Sequence, residues 1–166
     1  MVQRIYLIGF MGAGKSTVGR ELSVQLKWPL FDTDAEIEKS ENLSVAEIFA
    51  RFGESRFREL EREHLARLSR IPKGVIALGG GAFVDPENRK IIEATGVAVW
   101  LDASLSSIRE RVRPDGSRPL LSAGEQLERL YDTRLSFYKL APVHILTDNR
   151  LPDAIAREII GKVAMS

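Results

Sequence analysis

The stretch GFMGAGKS, Gly9 to Ser16, shares its first glycine with the apolar run RIYLIG, and few short patterns restrict a fold as tightly. Gly9, Gly14, Lys15 and Ser16 fit G-x-x-x-x-G-K-[ST]. Glycines at these positions let backbone N–H groups converge on phosphate oxygens, while the lysine and the hydroxyl serve phosphate and Mg²⁺. The pattern needs a strand before it and a helix after it. Ile5 to Ile8 is a short run of strand formers, and Thr17 to Leu26 carries Val18, Leu22 and Leu26 at helical spacing. The local expectation is strand, phosphate loop, helix, with Lys15 on the β- and γ-phosphates and Ser16 on Mg²⁺.

Beyond the loop the same alternation continues. Leu30 and Phe31 form a second brief apolar run ending at DTD, followed by helical spacing through Ile37, SVAEIF and FRELEREHLARL. VIAL is a third strand stopped by GGG, VAVWL a fourth and VHIL a fifth, with a last helix from about Pro152 to Val163. Ser44 with Glu47 fits a capping box, and Asp85 with Pro86 can cap and begin a helix. Strands that alternate with helices predict an α/β fold, a parallel sheet covered by helices on both faces, because parallel neighbours need crossover connections. Ligands then belong at the carboxyl ends of the strands. No repeat or linker divides the 166 residues, so one domain over 1–166 is expected. Only Arg111 to Gly124, RVRPDGSRPLLSAG, interrupts the pattern, and it reads as a loop.

Composition narrows the function classes. A net charge of +1 argues against broad electrostatic capture of nucleic acid. No apolar run approaches the roughly 20 residues of a membrane-spanning helix. MVQRIYLIGFMGAG faintly imitates a signal peptide, but cleavage there would destroy the lysine loop. The absence of cysteine leaves no disulfide, thiolate metal site or thiol nucleophile, and suits a reducing, cytoplasmic setting.

Several other residues have both a chemical and a plain structural reading. Phosphate-loop enzymes commonly place a metal-holding acid at the end of another buried strand, yet VIALGGG offers none. Asp32 and Asp34 close the second run; if it is extended, their period-2 spacing puts both on one side, facing the loop. Equally, they begin a helix, since Thr33 and Glu36 fit a capping box. Gly79, Gly80 and Gly81 are either a turn or a place where a ligand presses on backbone N–H groups. Arg58 can pair with Glu54 one helical turn earlier, and Arg134 has a similar structural reading. His64 reads as a helix-surface residue, His144 as a strand residue, and Trp28 and Trp100 as core.

Taken together, GFMGAGKSTVGRELS, FDTDAEIE, SVAEIFARFGESRFRELE, VIALGGGAF, RPLL and TRLSFYKLA occur in an order and spacing that resemble the shikimate kinases, nearly end to end. These belong to the nucleoside monophosphate kinase-like group of phosphate-loop proteins. The resemblance implies a three-layer sandwich with five parallel strands ordered 2-3-1-4-5, an acceptor-binding region at about 33–70 and a mobile lid at about 112–123. It implies transfer of the γ-phosphoryl of ATP to the 3-hydroxyl of shikimate, with Mg²⁺, by a cytoplasmic enzyme expected to be a monomer. By motif match, Asp34 holds shikimate hydroxyls and orients the attacking oxygen, and Asp32 joins Ser16 in supporting Mg²⁺. Arg58 and Arg134 grip the shikimate carboxylate, with Gly79, Gly80 and Gly81 lining its pocket. Gly12, Ala13, Gly14, Lys15, Ser16 and Thr17 hold the nucleotide phosphates. Lys15, Asp34 and the lid's Arg118 form the catalytic set, and Arg111, Arg150 and Pro152 match adenine-side positions. The competing readings are another small-molecule kinase of the same fold, for gluconate or a nucleotide, and an inert nucleotide-responsive sensor.

Overall fold

A short first strand, β1 (Arg4–Ile8), buried from Ile5 onward, occupies the middle of the sheet. It pairs in parallel with β3 (Gly74–Ala77), which places Ile5 beside Val75, and with β4 (Val97–Asp102), which places Ile5 beside Val97. On the outer sides lie β2 (Leu30–Asp32) and β5 (Val143–Leu146), giving the parallel order β2-β3-β1-β4-β5 that the family resemblance implied. The three inner strands are buried on both faces. The edge strand β5 alternates instead, with Val143 and Ile145 inward and His144 and Leu146 outward. The computed structural model describes residues 1–111 and 124–166; the expected lid and Arg118 lie outside them.

Helices fill the crossovers. They are α1 (Lys15–Leu26), α2 (Thr33–Glu41), α3 (Val45–Leu68), α4 (Pro86–Thr95), α5 (Leu105–Arg111), α6 (Gly124–Tyr138) and α7 (Pro152–Ala164). The start signals act as read for two of them. Ser44 and Glu47 form a reciprocal capping box on α3, and Asp85 caps α4 ahead of Pro86. Helix α3 kinks at Gly53, whose φ of 82° breaks its helical path.

Three readings change. Helix α2 is capped by Asp32, whose Oδ1 accepts from the Ala35 N–H at 3.2 Å, and not by Thr33. The extended run therefore stops at Asp32, and Asp34 stands in the first helical turn, so period-2 geometry does not relate the pair. His64, expected at the surface, is buried. Trp28 only borders the core that Trp100 joins.

Apolar residues form two bodies. The larger packs both faces of the sheet against helices; the smaller, Ile37, Ile48, Phe57 and Leu60, joins α2 to α3. This second cluster holds an arm of two helices beside the carboxyl ends of β2 and β3.

Candidate active site

A cleft of about 530 Å³ runs along those strand ends. Gly12, Gly14, Lys15, Ser16 and Thr17 border one end; Asp34, Arg58, Glu61 and Arg134 border the other, over Gly79, Gly80 and Gly81.

At the loop end, Gly9, Gly12 and Gly14 hold φ of 148°, 79° and 97°, conformations that side chains strongly disfavour. Gly9 has a second constraint, since a Cβ there would stand 2.7 Å from the Leu101 carbonyl oxygen of β4. Within the loop, Lys15 Nζ donates to the carbonyls of Gly9 at 2.6 Å and Phe10 at 3.1 Å. Ala13 is buried, and its N–H donates to the Phe10 carbonyl. Ser16 Oγ donates to Asp32 Oδ2 at 3.1 Å. The two readings of Asp32 thus coexist, one oxygen capping α2 and the other meeting the loop hydroxyl. A hydroxyl beside a carboxylate is a hard-oxygen donor pair of the kind Mg²⁺ prefers when phosphates and water complete its shell. Arg111 reaches over the loop to the Gly12 carbonyl at 3.1 Å.

At the other end, the glycine triplet is a floor that charged groups press upon. A Cβ on Gly79 would stand 2.7 Å from Asp34 Oδ1 and 2.9 Å from Glu61 Oε2. One on Gly80 would stand 2.8 Å from Arg134 Nη1, and one on Gly81 2.5 Å from Arg58 Nη2. Thr33 secures the floor, its hydroxyl donating to the Ala77 carbonyl and accepting from the Gly79 N–H at 3.1 Å. The Tyr138 hydroxyl donates to the Gly80 carbonyl. Burial pushes the Tyr138 pKa well up, so it stays a donor.

The charges are closely matched. Arg58 donates to Glu61 Oε1 at 2.9 Å as well as to the expected Glu54, at 3.3 Å. Desolvation opposes its charge, but the two glutamates more than offset this and raise its pKa. Arg134 is 5% exposed and lies over the Phe10 ring; burial lowers its pKa. Glu61, 1% exposed, has its pKa pushed up to about 7 by burial, a rise that Asp34 adds to and Arg58 and Arg134 oppose. Its Oε2 accepts no hydrogen bond among the described residues. Two guanidiniums facing two acids, one of which readily takes a proton, suit an anionic ligand that also presents hydroxyls.

Glu61, Thr33 and Tyr138 were missed in the sequence. Glu61 lies one turn after Arg58, but FRELERE offers charges on every side of its helix, and nothing local says which one turns inward. Arg150 and Pro152 do not line this cleft. Arg150 pairs with Glu158 of α7 at 2.7 Å and donates to the Leu146 carbonyl, while Pro152 opens α7.

A family model described as shikimate kinase matches residues 11–164. A shikimate kinase of Zymomonas mobilis is 44% identical over 159 residues, covering 94% of this chain and 90% of its own. Among solved structures, shikimate kinase from Acinetobacter baumannii in complex with shikimate superposes with a TM-score of 0.94 at 32% identity, covering 99% of this chain and 94% of that one. Shikimate kinase from Aquifex aeolicus gives 0.87 at 36% identity, covering 97% and 96%.

Proposed function

The chain belongs to the shikimate kinase family, phosphorylating a hydroxyl of shikimate with ATP, and on that premise we propose how its cleft divides the work. The loop end takes the ATP phosphates and the glycine floor takes shikimate. The observation that carries the division is the floor itself: Gly79, Gly80 and Gly81 each give up side-chain volume to a charged group, from α2 and α3, from α6, and from α3 respectively. Shikimate offers a carboxylate and hydroxyls to that set.

Arg58 and Arg134 bind the carboxylate, since a planar guanidinium matches it with paired donors. Asp34 accepts from the attacking 3-hydroxyl and aligns its oxygen. Phosphoryl transfer passes through a loose transition state, so alignment and charge neutralisation matter more than a strong base. Lys15 exchanges its two loop carbonyls for the β- and γ-phosphates, bringing charge where it develops. Ser16 and Asp32 would hold Mg²⁺. When bound, the ion neutralises phosphate charge and orients the γ-phosphoryl. Glu61 keeps Arg58 extended over Gly81. The bond of Arg111 to the Gly12 carbonyl holds it over the phosphate loop, and its adenine-side role rests on the sequence match alone, as do those of Arg150, Pro152, Arg118 and a lid at about 112–123. Every protein group in this scheme comes from a single kinase domain over 1–166, so a monomer suffices for it, and a chain without cysteine suits a cytoplasmic setting.

The test is ADP release from ATP with a panel of acceptors: shikimate, gluconate, nucleoside monophosphates and water. Turnover should appear with shikimate alone, giving shikimate 3-phosphate. Asp34→Asn should nearly abolish it while an ATP analogue still binds. Equal turnover with gluconate, or full activity in Asp34→Asn, would refute the assignment.

A further inference from the structure

Between α2 and α3 lies a polar chain, buried at His64 and open to solvent at Arg67, that phosphoryl transfer does not use. His64 is 8% exposed, and both of its ring nitrogens are engaged. Arg67 Nη2 lies 3.2 Å from Nδ1, and Ser40 Oγ lies 3.1 Å from Nε2. A guanidinium can only donate, so Nδ1 must present its lone pair and Nε2 must carry the ring proton. Nε2 therefore donates to Ser40 Oγ, which donates onward to the Ile37 carbonyl at 3.1 Å. At the far end, the same Arg67 nitrogen donates to Glu36 at 2.8 Å. The chain leaves α2 at Glu36, crosses to α3 and returns to α2 at Ser40.

These two helices also carry acceptor groups, Asp34 in the first turn of α2 and Arg58 and Glu61 in the turns of α3 just before His64. We propose that His64 is a positioning residue for shikimate: as the neutral Nε2–H tautomer it clamps α2 to α3 and fixes Asp34 against Arg58 and Glu61, and protonation opens the clamp. The proposal rests on the reading that these helices hold shikimate.

A proton on Nδ1 would set donor against donor and cation against cation at Arg67. Burial and Arg67 disfavour the imidazolium, while Glu36 and Glu41 of α2 and Glu63 of α3 favour it, and the balance holds the His64 pKa below its ordinary value. With the folded pKa depressed, the clamp is complete above about pH 6.5 and is lost as pH falls through the folded value.

Wild type, His64→Gln and His64→Leu separate this from a merely structural role. Glutamine offers a donor for Ser40 and an acceptor for Arg67 without titrating. Near pH 7.5, His64→Gln should keep the shikimate KM within about twofold of wild type and His64→Leu should raise it about fivefold, the scale of one lost hydrogen bond. The KM for ATP should stay within about twofold in both. Towards about pH 5, the wild-type shikimate KM should climb relative to that of His64→Gln. Ring-nitrogen NMR, simplified by a chain with two histidines, should find Nε2 protonated and Nδ1 bare at neutral pH. An Nδ1–H tautomer, or wild-type and His64→Gln KM profiles that superpose, overturns the clamp. A correct tautomer with a changed KM for ATP in place of shikimate instead overturns the acceptor reading beneath it. If His64→Leu does not fold, the His64→Gln profile and the tautomer decide.

Discussion

Gly79→Ala adds one methyl group at the point where two acids meet. Its backbone lies outside the left-handed region, so alanine fits the chain itself, and the consequence is confined to what the methyl touches. It would stand 2.7 Å from Asp34 Oδ1 and 2.9 Å from Glu61 Oε2, where ordinary contact begins at 3.4 Å. Relieving both contacts takes a retreat of about 0.7 Å by Asp34 and about 0.5 Å by Glu61, or a shift of the floor that tilts the methyl toward the softer side. Glu61 is held by Arg58, which itself presses on Gly81, so little slack lies on that side. Asp34 is the group expected to yield, and its oxygen aligns the nucleophile. Misplacement approaching 1 Å costs about a hundredfold in rate, so kcat/KM for shikimate should fall by about 10- to 100-fold. Coupled ADP release measures this, with calorimetry of an ATP analogue and a thermal melt beside it. Nucleotide affinity should hold, because the methyl lies away from the Gly12 to Thr17 loop. A folded Gly79→Ala enzyme with normal kcat and shikimate KM would refute the reasoning: either the carboxylates move freely or Asp34 does not position the acceptor.

Arg58→Lys exchanges paired donors for a single ammonium and should raise the shikimate KM by about 10- to 100-fold, or about 1 to 3 kcal/mol, with the KM for ATP unchanged; an effect confined to ATP would move the acceptor site elsewhere. The folded pKa of Glu61, about 7, lies above its ordinary value of 4.5, so the native state holds this proton more tightly than the unfolded chain. Its contribution to stability is fully present below about 4.5 and lost as pH rises through about 7. Denaturant melts across that window should show a falling slope in the wild type that is missing in Glu61→Gln, and identical slopes would contradict the shift. Gly161→Ala lies within α7 with no atom of another group within 4 Å of the new methyl. It should stabilise by about 0.5 to 1 kcal/mol without altering kinetics, and a lower Tm would disprove the helix-propensity argument.

The sequence by itself determined the fold class and the phosphate loop, because both are written in local periodicity and spacing. RIYLIG followed by GFMGAGKS requires strand, loop and helix within about 20 residues, and alternating apolar runs require a parallel sheet. Strand order came only with the family likeness, since period alone says nothing about which strands become neighbours. What tertiary structure decided was which of two sound local readings each polar residue follows. Asp32 turned out to cap a helix and meet Ser16 at once. Arg58 keeps its helical partner Glu54 yet is aimed by Glu61, and His64 is buried because α2 folds back across it. The reason for three glycines was least visible of all: Thr33 reaches Gly79 across 46 positions and Tyr138 reaches Gly80 across 58. Such contacts exist only after crossovers bring distant segments to one edge of the sheet, so a helix pattern can specify a face while the fold alone determines what that face meets.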